Sequence, residues 1–201
     1  MVVLQNLGLQ DYEFTWRDML HFTQNRVTDT ADQLWITEHP PVYTLGLNGK
    51  REHLLATGET PVINSDRGGQ VTYHGPGQLV IYTLLDIKRL NLNVRSLVTL
   101  LEQAMILALA EYGISALAKA EAPGVYVKDK KIGSIGLRIK NNCCYHGLSI
   151  NNQMDLQPFD HINTCGYKGL EVTQLADLGV NISTTELAIS VTNAILTALQ
   201  K

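Results

Sequence analysis

The chain has 201 residues, 45% of them hydrophobic, enough to bury a sizeable core without metals or disulfide staples. A net charge of −3 and a pI near 6.0 exclude the basic stripe of a nucleic-acid binder, and no apolar stretch approaches the roughly 20 residues of a membrane span. Cys143, Cys144 and Cys165 are an odd count at irregular spacing, which is no disulfide framework. Met1–Gln5 carries no basic, apolar leader, so a reducing cytoplasm is the expected compartment.

In chain order, the first predicted helix covers Tyr12–Val27. Tyr12, Trp16, Met19, Leu20 and Thr23 fall at helical spacing there, and Asp11 can cap the start. A strand is expected over Gln33–Glu38. His39-Pro40-Pro41 breaks it, because proline removes a donor and restricts its predecessor, and Val42–Leu45 resumes the extended chain. Val62–Asn64 is a short strand leading into Ser65-Asp66-Arg67-Gly68-Gly69. Gln70–Tyr73 and Gln78–Ile87 read as a hairpin turned by His74-Gly75-Pro76-Gly77. The clearest helix is Val94–Tyr112. Val94, Leu97, Leu101, Ala104, Met105, Ala108 and Leu109 share one face, and Gly113 stands at the C-terminal cap. Strands follow at Gly124–Val127, Lys131–Ile139 and Tyr145–Asn151, the first two joined by a turn at Lys128-Asp129-Lys130. Gln153–Gly169 is irregular. The last helix starts at Ser183 with Glu186 completing a capping box, and buries Leu187, Val191, Ala194, Ile195 and Ala198. No repeat or linker divides the chain, so one domain over 1–201 is expected. The short hairpins exclude an all-parallel sheet. The expected fold class is α/β of the α+β type, a mixed, largely antiparallel sheet flanked by helices.

Three segments have the residue types for chemistry. In Asp66–Gly77, Arg67 could hold an anion and His74 could move a proton, but the same residues suit a glycine bulge and a tight turn. Lys131 precedes Ile132-Gly133-Ser134-Ile135-Gly136. Beside a Lys-Asp-Lys turn a lysine is ordinarily solvated; desolvated next to a thiol, it would hold a thiolate. Cys165 lies in a loop, where chemistry concentrates, although an isolated cysteine is more often a small buried hydrophobe. Cys143-Cys144-Tyr145-His146 has a poor spacing for zinc, and His146 reads as a strand residue near a pocket wall. The basic stretch around Lys128, Lys130, Lys131, Arg138 and Lys140 suits an acidic protein partner.

Together, Arg67–Gln78, Lys131–Gly136, His146–Asn151 and Cys165-Gly166-Tyr167 resemble, in order, the motifs of the lipoyl(octanoyl) transferases. The resemblance runs from His39 to Leu175. It implies the biotin/lipoate protein ligase catalytic fold and octanoyl transfer from octanoyl-acyl carrier protein to a lysine of a lipoyl domain. The implied acceptors are the lipoyl domains of 2-oxoacid dehydrogenase complexes and the glycine cleavage H protein. By motif, Cys165 is the nucleophile and Lys131 its partner. Arg67, Gly68, Gly69, Gln70, Val71, Thr72, Tyr73, His74, Ser134, Ile135, Gly136, Gly147, Leu148 and Ser149 bind the acyl group. Gly68, Gly69 and Gly136 are expected to leave room for the chain, and the N–H groups near Gly147 and Leu148 are candidates for an oxyanion hole. Gly133 departs from the family's alanine or cysteine and is expected to loosen its strand. A thioester is already activated, so no cofactor, ATP or metal is expected, and no nucleic acid or membrane partner. An ATP-dependent lipoate or biotin ligase and a non-enzymatic acyl-protein binder are the competing readings.

Overall fold

The computed structural model describes residues 2–200 of the chain. The order of elements is β1 (Val2–Leu9), α1 (Tyr12–Gln24), β2 (Asp32–Glu38), β3 (Val42–Leu45), β4 (Val62–Asn64), β5 (Val71–His74), β6 (Gln78–Asp86), α2 (Val94–Glu111), β7 (Leu117–Ala118), β8 (Val125–Val127), β9 (Lys130–Lys140), β10 (Cys143–Asn151) and α3 (Thr184–Leu199). A seven-stranded sheet runs β1-β2-β6-β10-β9-β8-β7, and a three-stranded sheet runs β4-β3-β5. The pairs β1/β2 and β3/β4 are parallel; the others are antiparallel. The mixed, largely antiparallel α/β class expected from the sequence is the one observed. No described helix is long and apolar enough to cross a membrane.

The alternation of side chains along a strand assigns the two faces of β6. Leu79, Ile81 and Leu85 join α2 and α3 in the main core, beside Leu101, Met105, Leu187 and Ile195. Val80, Tyr82 and Leu84 face the other way, into a cluster with Met19 of α1, Trp35 and Tyr145. Burying each such aliphatic or aromatic side chain contributes about 1.5–3 kcal/mol. Local signals agree with this packing. Asp11 caps α1 by accepting from Phe14 N–H, Asn93 and Ser96 form a capping box on α2, and Ser183 and Glu186 form one on α3. In the β8–β9 turn Lys128 and Asp129 both have positive φ, the geometry that matches the twist of a two-residue hairpin.

The structure corrects several expectations. The first helix stops at Gln24, because Asn25 closes it on His21 O and Arg26 leaves the helix to reach Leu84 O (3.0 Å) and Asp32 (2.6 Å). β5 and β6 are not a hairpin. β5 pairs with β3 in the small sheet, while both edges of β6 are taken by β2 and β10. The Gly75-Pro76-Gly77 turn thus carries the chain from one sheet to the other. Gly77, at φ 84°, is held by Glu38 Oε2 (2.7 Å), and a Cβ there would meet Gln153 O at 1.9 Å. Strands β1 and β7 are elements that the pattern of residues does not reveal. Val94 is half exposed rather than buried. Beside Gly133 the space is filled, with Met105 Sδ 2.8 Å from where a Cβ would stand.

Candidate active site

Lys131 is the second residue of β9 and is 2% exposed, not solvated. Its N–H donates to Glu171 O and its carbonyl accepts from Thr173 N–H, both at 2.9 Å. The segment just after the 165 loop is therefore bound to the lysine's own backbone. The side chain passes under the Tyr126 ring, with Nζ 5.3 Å from the centroid. The ammonium donates to Pro123 O at 2.8 Å and to Cys165 Sγ at 3.2 Å. Cys165 sits at φ 55°, ψ 17° in a short turn, Thr164–Gly166. Left-handed backbone costs a non-glycine residue about 1–2 kcal/mol, and such strain clusters at functional sites. The turn is anchored by Asn163 N–H to His53 O (2.9 Å) and by Tyr167 OH to Glu121 O (2.9 Å).

The sequence-predicted acyl-binding segments converge on one cavity of about 340 Å³ that also holds Lys131 and Cys165, at the small end of ligand pockets. Arg67–Thr72, His74, Ser134–Gly136 and Gly147–Ser149 all line it, with Val80, Val94 and Val98 adding apolar wall. Tyr73 does not. Strand alternation turns it to the far side of the small sheet, against Tyr43 and Phe159. Gly68, Gly69 and Gly136 line the cavity and also let the Arg67 loop approach β9: Gly68 N–H donates to Leu137 O at 2.9 Å, and a Cβ on Gly136 would meet Arg67 Cδ at 3.1 Å and Gly68 O at 3.2 Å. Gly147 and Leu148 lie on β10 between β6 and β9, directly after the left-handed His146, and a Cβ on Gly147 would meet Ile81 O at 2.0 Å.

Arg67 is buried, and its donors are taken by Thr44 Oγ1 (3.0 Å), Thr44 O (2.6 Å), Gly68 O (2.9 Å) and Gln70 O (2.7 Å). It braces the loop instead of reaching out for a phosphate. None of the ion pairs among the described residues includes Arg67 or Lys131. Two buried cations with no carboxylate in direct contact make the cavity favourable for negative charge.

Behind Arg67 lies a buried polar network. Burial, with His39 adding to it, pushes His74 down to about 3, so the ring is neutral. His74 Nδ1–H donates to Gln78 Oε1 at 2.7 Å. Burial likewise lowers His39, which donates to Gln10 O and accepts from Tyr82 OH, both at 2.6 Å. On the adjoining wall His146 has φ 62° inside β10. Successive strand residues normally face opposite sides. This left-handed residue instead stacks the Tyr145 and His146 rings 5.1 Å apart and lets both bond Asp66, His146 Nε2 at 2.9 Å. Burial lowers His146, so Nε2–H is the donor and Nδ1 is left as a buried acceptor without a partner. Burial opposes ionisation of Asp66, but the bonds from His146, Tyr145 and Trp16 hold its carboxyl below the usual range. Asp66, Tyr12, His39 and Tyr82 were not singled out from the sequence. A lone acid, tyrosine or His-Pro carries no signal of where the sheet switch will bring it.

The three cysteines are free and differ sharply. Burial pushes Cys144 up to about 12 and raises Cys143 as well, which keeps both as inert thiols. Cys165 is partly exposed and contacts an ammonium.

Residues 4–196 match the family described as lipoyl protein ligase A/B catalytic domain. This chain belongs to that family. An octanoyltransferase of Laribacter hongkongensis is 57% identical over 185 residues, covering 92% of this chain and 89% of that protein. An octanoyltransferase of Methylococcus capsulatus is 52% identical over 197 residues, covering 98% and 95%. Among solved structures, lipoate-protein ligase A bound with ATP superposes with a TM-score of 0.80 at 14% identity, covering 98% of this chain and 85% of that one. A biotin protein ligase from Aquifex aeolicus gives 0.60 at 15% identity, covering 100% and 68%. The sheet and helices of the family's ligases are thus the fold seen here.

Proposed function

We propose that this chain is a single catalytic domain that moves an octanoyl group through a thioester on Cys165, with Lys131 carrying the proton between the two half-reactions. Octanoyl transfer in protein lipoylation is its activity. The donor in this reading is octanoyl-acyl carrier protein, and the acceptor is a lysine of a lipoyl domain, as in the 2-oxoacid dehydrogenase complexes and the glycine cleavage H protein. The observation that supports the route is the 3.2 Å contact between Lys131 Nζ and Cys165 Sγ inside the cavity.

In the loading step the Cys165 thiolate attacks the donor's thioester carbonyl. The charges of Lys131 and Arg67 stabilise the oxyanion that forms. The C–S bond to the donor breaks, and Lys131 gives its proton to the departing thiolate. In the transfer step the acceptor amine attacks the Cys165 thioester, and neutral Lys131 takes the amine's proton. The Cys165 C–S bond breaks, an amide is left on the acceptor, and the thiolate–ammonium pair is restored. Atoms and charges balance over the cycle without ATP, which separates this reading from a ligase.

Intact mass after mixing the protein with octanoyl-acyl carrier protein tests it. One octanoyl adduct, mapped to the Cys165 peptide and chased to a lipoyl domain without ATP, is expected. A competent adduct on Cys143 or Cys144, or an absolute requirement for ATP, would overturn the assignment.

A further inference from the structure

One acidic residue of α2 stands apart. Glu102 is 8% exposed and lies among Leu101, Ala104 and Met105 on the buried face of the helix. Its hydrogen bond goes to a backbone group: Gly124 N–H donates to Oε1 at 2.9 Å. The carbonyl of the same peptide unit, Pro123 O, accepts from Lys131 Nζ at 2.8 Å. A carboxylate, one peptide dipole and an ammonium are therefore joined in line. The N–H end of the peptide faces the negative charge and the C=O end faces the positive one, so each contact polarises the other. The backbone is shaped for this. Gly124 has φ 132°, and a Cβ there would meet Gly133 O at 2.5 Å and Lys131 Cε at 2.8 Å. Only a glycine lets the lysine stem lie against the peptide it bonds.

We propose that Glu102 is the counter-charge of Lys131, acting through the Pro123–Gly124 peptide as a positioning residue that favours the ammonium and aims it at Cys165. The proposal rests on Lys131 being the partner of Cys165. The other groups around Lys131 leave this task open. Tyr126 is raised by burial and is neutral, with its OH given to Ala122 O at 2.8 Å. Lys119 lies 4.7 Å from the Tyr126 centroid and pairs with Asp129. Glu171 turns its carboxylate to Lys130 at 2.8 Å. Arg67, also lining the cavity, is a second cation and supplies no counter-charge.

The test is the pH titration of the Lys131 side chain, read by ¹³C NMR of labelled lysine in the Cys165→Ser protein and recognised by its loss in Lys131→Met. Glu102→Gln keeps the acceptor for Gly124 and removes only the charge. The Lys131 midpoint is expected to fall. The rise of transfer from the octanoyl-enzyme with pH, where Lys131 becomes the neutral base, should move down with it. Glu102→Asp keeps the charge on a shorter arm and should move the midpoint less, in the same direction; it carries the test if the glutamine variant does not fold. An unchanged midpoint in the folded variant, with rates reduced equally at every pH, overturns the proposal and leaves Glu102 as a helix-to-loop tie. The dyad fails separately: if Lys131→Met leaves both half-reactions intact while Glu102→Gln still moves the midpoint, the coupling stands without the catalytic role.

Discussion

The two packed regions of this molecule are built on opposite principles. Beneath α2 and α3 the sheet meets mostly leucine, isoleucine, valine and alanine, and exclusion of water is the main force there. Between α1, the small sheet and β10 the chain buries Arg67, His39, His74, His146, Tyr12 and Tyr82, each of which loses hydration on folding. That second region holds its groups by hydrogen bonds running from Arg67 through Thr44, His74 and Gln78 to Asn151. The difference teaches where to look: the apolar region sets how long the fold lasts, and the polar one sets the charge and shape of the cavity beside Cys165.

The sharpest way to break the comparison is at the cysteines. Cys165→Ala should remove the octanoyl adduct completely by intact mass, with no substitution by Cys143 or Cys144. Lys131→Met comes next. Loss of a positioned acid and base is worth about 10²–10⁴ in rate, and single-turnover assays should show both half-reactions slowed. Lys131→Arg should keep more of loading than of transfer, because arginine holds its charge but not a removable proton.

On the apolar side, Ile195→Ala should cost about 2–5 kcal/mol in chemical denaturation while leaving loading rates unchanged well below the melting temperature. No residue of α3 lines the cavity. A change in the rate at low temperature would mean the two regions are coupled. The smallest effect concerns pH. His74 binds no proton in the folded protein until about pH 3, whereas the unfolded chain binds one below about 6.5. Stability contributed by the neutral ring is complete above that upper value and is lost as pH falls toward 3. The loss at pH 5 is about 2 kcal/mol, and His74→Asn should flatten the melting-temperature profile between pH 7 and 5.

Much of this was legible because it is local. The strands β9 and β10, Gly113 after α2, the Ser183–Glu186 box of α3 and the turn at Lys128-Asp129-Lys130 are written in adjacent residues. The segments expected to bind the acyl group stand out only as a combination of motifs, and all of their residues but Tyr73 line the cavity. What escaped is set by geometry across the chain. The sheet switch at Gly75–Gly77 depends on both edges of β6 being occupied, which no short window reveals. The left-handed His146 carries no residue-type signal, so the shared bond of Tyr145 and His146 to Asp66 was invisible. Glu102 carries no local signal of its burial, because its partner is a peptide unit 22 residues further on.

The left-handed turn at Cys165 has a consequence for variation. Glycine takes φ 55° without strain, so Cys165→Gly should raise stability by up to about 1–2 kcal/mol. Folding and chemistry therefore favour different residues at one codon. A library sorted only for thermal resistance should accumulate glycine at 165 and lose every active clone. Passing such a library through a lipoylation-dependent growth selection should restore cysteine there before it changes any position under α3.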